Sequence, residues 1–556
     1  MNVFIPSLRC LLHPTRIESA LVIAAFTFGI GGLAEAREIV HDIEHQILVD
    51  QHAEEWKKED IQIDAILDAL EKKHGKPPNI IHIMWDDTSL GEVGIPELNK
   101  VLGFDTPHLN RMADEGISFT RMYTEPSCTP TRTGALTGRL AVRAGMYKVE
   151  FPPEGAGLNK KEVTIAEVLG KNGYTTGFIG KGHQGDIEES YLQNQGFDYA
   201  NFSMYNQFPF MMWNVPSALG GAVRGLFPFQ WDKQHTLDRE FRPLGYINQL
   251  EAVKGGKARE YLGPPSPANY KKLMRAHQQL VLDFVSKHAS DDEPFYLAYW
   301  PHMADTMVPP NQLTSNASTW WAFSMEQLDR DIGAVLAQLK KMGIADNTLV
   351  IAMADNGPMH ELMPNGPHEV IFAGYKGDHR EGGIRVPAFA HWPGVIEAGQ
   401  VLNDMLTVHD LFTTFARLGG ALGSVPRDRV IDGVDQTALL LNGQGHSRRD
   451  YYHVYTGLKL AASIKQQIKR DWTHEKPGLV GSEFFDLYRD PREEYAEMPT
   501  FIWAWPAFDQ MRERHLAQME KYPNRKVTTG RPFEGIADLR EDAAQMSERL
   551  MKYNSR

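Results

Sequence analysis

Strand-like runs alternate with amphipathic helical stretches through the middle of the chain. The predicted strands are Ile80 to Trp85, Tyr174 to Ile179, Phe295 to Trp300 and Thr348 to Ala354. The predicted helices are Lys271 to Lys287 and Trp320 to Met342. Apolar strands that alternate with helices are typical of parallel strands buried on both faces. The pattern therefore predicts an α/β fold, with a large mixed, mostly parallel sheet sandwiched by helices.

The two ends of the chain differ from this middle part. Between about residues 52 and 73, apolar side chains follow a helical spacing at Ile63, Ile66, Leu67 and Leu70. We assign this helix to an N-terminal extension, residues 37–77. Beyond residue 445 the pattern changes to short strands, followed by a helical heptad pattern from Ile536 to Leu550. The predicted short strands are Tyr451 to Tyr455, Leu458 to Ile464 and Glu483 to Tyr488. We therefore expect a main domain, residues 78–445, and a smaller α+β C-terminal subdomain, residues 446–556.

An aromatic-rich insertion interrupts the main domain at residues 187–265. Its central part, residues 200–245, is rich in Phe, Trp, Met, Pro and Gly and has little helical period. Long insertions are often functional, whereas aromatic side chains are usually buried in a core. The insertion is thus either a segment packed on the core or a lid over a substrate cleft.

The first 36 residues have the layout of a secretory signal peptide. Arg9 and Arg16 precede an apolar run from Ala20 to Leu33, and Ala34-Glu35-Ala36 forms a small-x-small cleavage site. An apolar run of 14 residues is short for a membrane span. We expect an exported protein, periplasmic or secreted, with no stable membrane span after cleavage. The alternative is a retained membrane anchor.

Composition narrows the class of protein. The chain has 556 residues, of which 42% are hydrophobic, and this excludes a disordered polymer or a collagen-like fibre. A net charge of −13 gives no broad basic face, so we expect no nucleic-acid partner. The chain has two cysteines, Cys10 and Cys128, too few for disulfides to hold a fold of this size. Cleavage of the signal peptide would leave Cys128 alone.

Polar side chains follow the predicted strands, and the carboxyl ends of parallel strands are where α/β proteins bind ligands. The residues concerned are Asp86, Asp87, Lys181, His183, His302, Asp355 and Asn356. One Asp after a strand is usually a cap or a turn residue, but two such doublets make that interpretation weaker. Carboxylate and amide oxygens suit Ca²⁺ or Mg²⁺ better than zinc. A divalent metal near Lys181, His183 and Lys376 indicates a site for an oxyanion ester.

A helix is predicted to start near Cys128, with Thr129 as its N-cap and Pro130 at its first position. Cys128 would then lie at the positive end of the helix, a place that favours an anion. The alternative is a free buried cysteine, which is the usual environment of this residue.

The segment from Cys128 to Tyr147, with its C-x-P-x-R motif, resembles the signature of the type I sulfatases. The resemblance is strongest to the arylsulfatase branch, within the alkaline-phosphatase-like superfamily. Further matches occur in the family's order at residues 78–87, 173–183, 354–357, 374–387 and 484–494. The resemblance covers roughly residues 78–495, and so many ordered matches are specific.

This resemblance implies hydrolysis of organic, aryl-type sulfate esters to a phenol or alcohol and inorganic sulfate. Cys128 would be oxidised to formylglycine by a maturation enzyme, and its hydrate would be the nucleophile and a metal ligand. The other implied ligands of one Ca²⁺, with Mg²⁺ second, are Asp86, Asp87, Asp355 and Asn356. Arg132 would stabilise the formylglycine, Lys181 and His183 would orient its hydroxyls and the sulfate, and Lys376 would contact the sulfate.

The sequence departs from the family pattern at two places in the site. Gly182 stands in GKGH where the family usually has a tryptophan, and Met307 stands where a sulfate-binding histidine is common. His302, five residues before Met307, takes this role if the loop is re-registered. Two other functions stay open: a phosphonate monoester or phosphodiester hydrolase with the same nucleophile, and a catalytically silent binding protein on this scaffold.

Overall fold

The computed structural model describes residues 38–150, 154–205, 249–261, 267–302, 320–359, 371–443, 445–473, 483–496 and 501–531. The predicted signal peptide, Met307, residues 206–248 of the insertion and the pattern from Ile536 to Leu550 lie outside these ranges. Within them, no helix is both long enough and apolar enough to cross a bilayer.

Strands and helices alternate as the apolar pattern predicts. The strands of the main domain are β1 (Asn79–Trp85), β2 (Ile117–Tyr123), β3 (Ala156–Gly157), β4 (Thr175–Lys181), β5 (Tyr199–Ser203), β6 (Gln249–Val253), β7 (Arg259–Glu260), β8 (Phe295–Trp300), β9 (Thr348–Ala354), β10 (Arg385–His391), β11 (Gln400–Leu402) and β12 (Leu406–Thr407). The helices are α1 (Ile43–His74), α2 (Pro96–Val101), α3 (Pro107–Asp114), α4 (Cys128–Thr137), α5 (Ala141–Ala144), α6 (Ile165–Gly170), α7 (Pro267–His288), α8 (Trp320–Met342), α9 (Glu381–Ile384), α10 (Asp410–Leu418), α11 (Thr437–Leu441) and α12 (Trp505–Lys521).

The main sheet runs in the order β11-β2-β10-β9-β1-β8-β4-β5-β6-β7, with β12 also paired to β2, which makes eleven strands in the described part of the chain. The five central strands, β9 to β5 in this order, are mutually parallel. Strands β10 and β6 pair antiparallel with their neighbours on either side of this block. Every residue of β1, β8 and β9 is buried, so both faces of the sheet centre are covered. The predicted α/β fold with a mixed, mostly parallel sheet is confirmed.

A second, four-stranded antiparallel sheet forms the smaller C-terminal part. Its strands, in spatial order, are β13 (Tyr451–Thr456), β14 (Lys459–Lys465), β15 (Ile468–Asp471) and β16 (Glu483–Asp486). Helix α12 follows it, and β17 (Thr528–Thr529) then returns to pair with β3 of the main domain. The short strands and the α+β character predicted for this region are confirmed, and β15 is an additional strand that the sequence pattern did not predict.

Element boundaries differ from the sequence prediction at several places, including α1, β4 and the flanks of the aromatic-rich insertion. Helix α1 begins at Ile43, nine residues before the predicted start, because the side chain of Asp42 accepts a hydrogen bond from Glu44 N (3.0 Å) and caps it. Strand β4 extends to Lys181, so this lysine ends the strand instead of following it. The flanks of the 187–265 segment form β5, β6 and β7, which continue the main sheet.

The N-terminal extension is joined to the rest of the molecule through the buried carboxylate of Asp42. Asp42 Oδ2 accepts a hydrogen bond from His515 Nδ1 of α12 (2.8 Å) and lies 3.4 Å from Arg143 Nη2 of α5. Burial opposes ionisation, yet the partners His515 and Arg143 hold the pKa of Asp42 well below its usual range. One ionised side chain therefore connects the start of α1 with both parts of the fold.

We predict that Asp42→Ala lowers the free energy of unfolding by about 3–5 kcal/mol, the usual cost of removing one partner of a buried ion pair. Urea-induced unfolding followed by circular dichroism measures this change. The control is Asp50→Ala on the same helix, where the exposed Asp50 side chain accepts a hydrogen bond from Gln46 Nε2 (3.2 Å). That variant is expected to stay within about 0.5 kcal/mol of wild type. Equal losses in the two variants would contradict the role of Asp42.

Candidate active site

The carboxyl ends of four adjacent parallel strands bring most of the predicted site residues to one edge of the sheet. Asp86 and Asp87 follow β1, and Asp355 and Asn356 follow β9, which pairs with β1 in register so that Trp85 faces Ala354. Strands β8 and β4 lie on the other side of β1 and end at Trp300 and Lys181. All of the side chains singled out at these strand ends are buried. The convergence predicted from the strand pattern is confirmed.

Helix α4 carries Cys128 to this edge, but its N-cap is Ser127 and not Thr129 as predicted. Cys128 is the first residue of the helix, and Pro130 is accommodated in the first turn because N–H groups there have no intrahelical acceptor. The Thr129 hydroxyl instead accepts a hydrogen bond from Glu150 N (3.2 Å). Cys128 is 1% exposed, and its Sγ and one carboxylate oxygen each of Asp86 and Asp355 lie within 4.8 Å of one another.

Arg132, one turn along the same helix, joins three strand ends. Its Nη2 donates to Asp86 Oδ1 (2.6 Å) and Asp355 Oδ2 (2.8 Å), and its Nε donates to the same Asp355 oxygen (3.1 Å). Its Nη1 donates to the main-chain oxygen of Lys181 (3.0 Å). The planar fork of a guanidinium can reach all three acceptors at once, which an ammonium cannot. Arg132 therefore fixes β1, β4 and β9 relative to α4.

Two lysines complete the group of cations. Lys181 Nζ donates to Asp86 Oδ1 (2.7 Å), and Lys376 Nζ donates to Asp87 Oδ1 (2.6 Å). Lys376 lies in the loop after residue 371, and its own backbone N–H donates to Pro358 O (2.9 Å). Desolvation acts to lower the pKa of Lys376, but the summed attraction of Asp87 and the other nearby negative charges raises it well above its usual value. Lys376 is therefore held as an ammonium ion, and both lysines act electrostatically on Cys128.

His183 is neutral, and its tautomer follows from its contacts. Burial, together with the nearby Lys181 and Arg132 charges, lowers the pKa of His183 well below its usual value. Its Nε2 lies 3.0 Å from the carbonyl oxygen of Glu150, which can only accept, so Nε2 carries the proton. Nδ1 is buried and has no hydrogen-bond partner in the part of the chain that the structure describes. His183 therefore presents a hydrogen-bond acceptor, and the ring of Tyr205 packs edge-on against it at 4.9 Å.

His302 follows β8 at the same edge of the sheet, but one of its ring nitrogens contacts side chains of β5 and β6. Its Nε2 lies 3.2 Å from Ser203 Oγ and 3.3 Å from Gln249 Oε1, and its ring stacks on His277 at 5.3 Å. Its Nδ1 has no hydrogen-bond partner within the described ranges. Burial and the neighbouring His277 lower the pKa of His302 well below its usual value. The sulfate-binding role of His302 stays a prediction.

The carboxylates of Asp86 and Asp355 have pKa values shifted in opposite directions. Burial acts to raise the pKa of Asp86, but the Lys181 and Arg132 charges reverse this and lower it below the usual range. Burial raises the pKa of Asp355 to about 6, where the attraction of Arg132 is opposed by the repulsion of Asp86. The nearby cations thus lower the pKa of Asp86 but do not offset the effect of burial on Asp355.

The donor set fits a hard divalent cation. Asp87 Oδ2 and Asn356 Oδ1 are buried and have no hydrogen-bond partner among the described residues, while Asn356 Nδ2 donates to Asp87 Oδ1 (2.8 Å) and so orients the amide oxygen. With the carboxylates of Asp86 and Asp355, this gives an all-oxygen set, which Ca²⁺ and Mg²⁺ prefer. Three carboxylates balance three cations, so a divalent ion leaves a net positive charge for an anionic ligand.

Comparison with known proteins identifies the family. A family model named Sulfatase matches residues 78–421, which is more than half of the chain. The chain belongs to the sulfatase family. As a member it is a sulfuric ester hydrolase, and both the predicted family and the predicted enzyme class are confirmed.

Three curated relatives and one solved structure show how far the similarity extends. This sulfatase is 34% identical to arylsulfatase A of Homo sapiens, over 76% of this chain and 83% of that one. It is 30% identical to steryl-sulfatase of Rattus norvegicus, over 81% and 91%. It is 31% identical to N-acetylgalactosamine-6-sulfatase of Mus musculus, over 76% and 79%. The crystal structure of PsFucS1 sulfatase from Pseudoalteromonas sp. superposes with a TM-score of 0.76 at 28% identity, over 85% and 96%.

Several contacts of the sulfatase site were not predicted from its sequence. Trp300 lies beneath the Arg132 guanidinium at 5.3 Å, and the main chain of Glu150 sets the tautomer of His183. Gly182 stands where the family pattern has an aromatic residue, and even a Cβ at this position would lie 2.7 Å from a Leu192 side-chain atom. The sequence did contain a signal for the Trp300 contact, because Trp300 ends β8 and this strand ends at the same edge of the sheet as the site.

Proposed function

We propose that this sulfatase hydrolyses aryl-type sulfate esters, with Cys128, converted to formylglycine, as its nucleophile. The observation that carries the proposal is the position of Cys128. It is the first residue of α4, and its Sγ lies within 4.8 Å of carboxylate oxygens of both Asp86 and Asp355. A nucleophile is useful there because cations from three elements surround it. Human arylsulfatase A, at 34% identity, supports the aryl class.

The environment of Cys128 favours a modified side chain over a thiolate. Burial is the largest influence and raises the pKa of the Cys128 thiol, with the Asp355 and Asp87 carboxylates adding to it against Lys181 and Lys376. A protonated thiol is a weak nucleophile and a weak metal ligand. A hydrated aldehyde offers neutral hydroxyls, which these carboxylates do not repel. The chemistry of the pocket therefore supports oxidation of Cys128 by a formylglycine-generating maturation enzyme.

The charged side chains would act on the sulfate. We assign Lys181 and Lys376 to the sulfate oxygens, where fixed ammonium charges stabilise the charge that develops as the ester bond breaks. The bare Nδ1 of His183 can accept a proton from a hydroxyl at position 128, because Nε2 is committed to Glu150 O. Arg132 holds the carboxylates on which this arrangement depends.

We assign Ca²⁺, with Mg²⁺ second, to the oxygens of Asp86, Asp87, Asp355 and Asn356 and to the modified residue 128. The unpartnered Asp87 Oδ2 and Asn356 Oδ1 support this assignment. When bound, such an ion lowers the pKa of a coordinated hydroxyl and polarises the sulfate. The oxygens present suit a larger, flexible coordination sphere, which Ca²⁺ accepts more readily than Mg²⁺.

Export completes the proposal, and its support is the signal-like layout of residues 1–36. We propose a periplasmic or secreted enzyme. A single cysteine in the mature chain suits an oxidising compartment, because Cys128 then has no thiol partner within the chain for an unwanted disulfide.

We predict that residue 128 carries an aldehyde in protein expressed together with a formylglycine-generating enzyme. Mass spectrometry of the tryptic peptide Met122–Arg132 measures the modification, and Cys128→Ala prepared in the same way is the control. Active protein that contains only the thiol would refute the proposed nucleophile.

We predict that the matured enzyme has a higher kcat/KM for para-nitrophenyl sulfate than for para-nitrophenyl phenylphosphonate. The leaving group is the same, so the comparison reports on the group that the cations bind. A preference for the phosphonate would replace the sulfatase assignment of substrate with the phosphonate hydrolase alternative. Turnover of neither compound by aldehyde-bearing protein would favour a silent binding protein or exclude the aryl class.

We predict that Asp355→Ala weakens Ca²⁺ binding by at least about 100-fold and abolishes activity, because one of few hard ligands is lost. Titration calorimetry of chelator-treated protein with Ca²⁺ measures the affinity, and circular dichroism checks the fold. Asp346→Ala is the matched control, since the half-exposed Asp346 pairs with Lys73 before the other end of β9. Unchanged Ca²⁺ affinity in Asp355→Ala would remove Asp355 from the metal site.

A further inference from the structure

The loop that carries Lys376 is attached to the molecule at both of its ends. On the near side, Lys376 N donates to Pro358 O (2.9 Å) and Gly377 N donates to Pro126 O (2.7 Å), two residues before Cys128. Gly377 has φ +89°, a left-handed conformation that favours glycine and lets the chain turn there. These two hydrogen bonds hold the backbone at residues 376 and 377, whereas the chain beyond Gly377 is held by other contacts.

The C-terminal sheet holds the far side of the loop. Lys469 of β15 has a fully buried side chain, and its Nζ donates to the carbonyl oxygen of His379 (2.7 Å). The same ammonium lies 2.8 Å from Glu493 Oε1 and 3.4 Å from Glu381 Oε1. Glu493 Oε2 accepts a hydrogen bond from Glu381 N (2.7 Å). Lys469 and Glu493 thus bind the backbone of the loop at two points, residues 379 and 381.

Three further side chains hold the same segment. Asp471, two residues after Lys469 on β15, has its Oδ2 2.8 Å from His379 Nε2. On the main-domain side, Tyr123 Oη donates to Glu381 Oε2 (2.9 Å), and Arg385 Nη1 donates to the same oxygen (3.3 Å). The segment from His379 to Glu381 is therefore clamped between the main sheet and the C-terminal sheet.

We propose that Lys469 and Glu493 are positioning residues for Lys376, and that the C-terminal subdomain thereby sets the geometry with which this enzyme binds sulfate. The proposal rests on the proposed function, in which Lys376 contacts the sulfate. Lys376 has a flexible side chain, so its ammonium can be placed beside Asp87 only if the backbone beneath it is fixed. The hydrogen bonds of Lys376 N and Gly377 N hold this backbone on one side, and the clamp at His379 and Glu381 holds it three to five residues further along.

The test is a double-mutant cycle on the matured full-length enzyme. Lys469→Met removes the ammonium at similar length, and we expect kcat/KM for an aryl sulfate to fall by about 100-fold, the usual loss for a misplacement of about 1 Å. Lys376→Ala removes the group through which Lys469 acts. In that background Lys469→Met is expected to change kcat/KM by less than about twofold, because the two positions are coupled.

Two controls separate positioning from general loss of structure. Arg470→Met alters the next residue of β15, a buried cation whose Nη1 donates to Asp509 Oδ1 (2.9 Å) and to the main-chain oxygen of Trp505 (3.2 Å), both in α12. It is expected to lower the melting temperature while the folded enzyme keeps wild-type kcat/KM. The inhibition constant for inorganic sulfate is the second readout, and we expect it to rise in Lys469→Met and to stay unchanged in Arg470→Met.

If Lys469→Met does not fold, Glu493→Gln takes its place in the cycle. Its amide oxygen can still accept from Glu381 N, while the charge that binds Lys469 is lost. Equal and additive losses in wild-type and Lys376→Ala backgrounds would overturn the positioning role but leave the proposed function in place. Unchanged kcat/KM in Lys376→Ala itself would overturn both the positioning role and the assignment of Lys376 to the sulfate.

Discussion

The balance of buried charge at the carboxyl edge of the sheet is the constraint on which the rest of the structure depends. Three carboxylates and three cations lie there, all of them buried except the partly buried Lys376, and each charge would be costly to bury alone. Arg132 meets this constraint by binding Asp86, Asp355 and the main chain at Lys181 together. Because those acceptors lie at the ends of three different strands, the sheet order and the position of α4 are linked to the site.

The sequence predicted the parts of this arrangement that local pattern can encode. Strands buried on both faces give apolar runs, so the strand ends at Asp86 and Asp355 were visible, and the family resemblance supplied Cys128 and Arg132. Strand β15 was not visible, because Lys469, Arg470 and Asp471 look like a solvated turn. Their partners, among them Glu493 and Asp509, are distant in sequence and become neighbours only in the fold. The early start of α1 was missed as well. Asp42, which caps this helix, has its carboxylate held by His515, a residue distant in sequence.

The contacts of His183 and His302 show a further limit of reasoning from motifs. Both histidines follow strands of the parallel block, and both are buried with one nitrogen engaged. For His183 the acceptor is a main-chain carbonyl, whose position depends on the fold and on no side chain, so its tautomer cannot be inferred from residue types. For His302 the partners Ser203 and Gln249 belong to β5 and β6, in the flanks of the aromatic-rich insertion. Residue type thus identifies a histidine as a candidate, whereas its neighbours decide which nitrogen is available.

The site combines a part that the sheet fixes with a part that loops fix. Asp86, Asp87, Asp355 and Asn356 are attached directly to strands, and their positions follow from the strand register. Lys376 is attached to a loop whose far end is held by the C-terminal sheet, so its position depends on packing between two parts of the molecule. A substitution that reshapes the C-terminal sheet would therefore displace Lys376, to which we assign the sulfate, before it displaced the four strand-end residues to which we assign the metal.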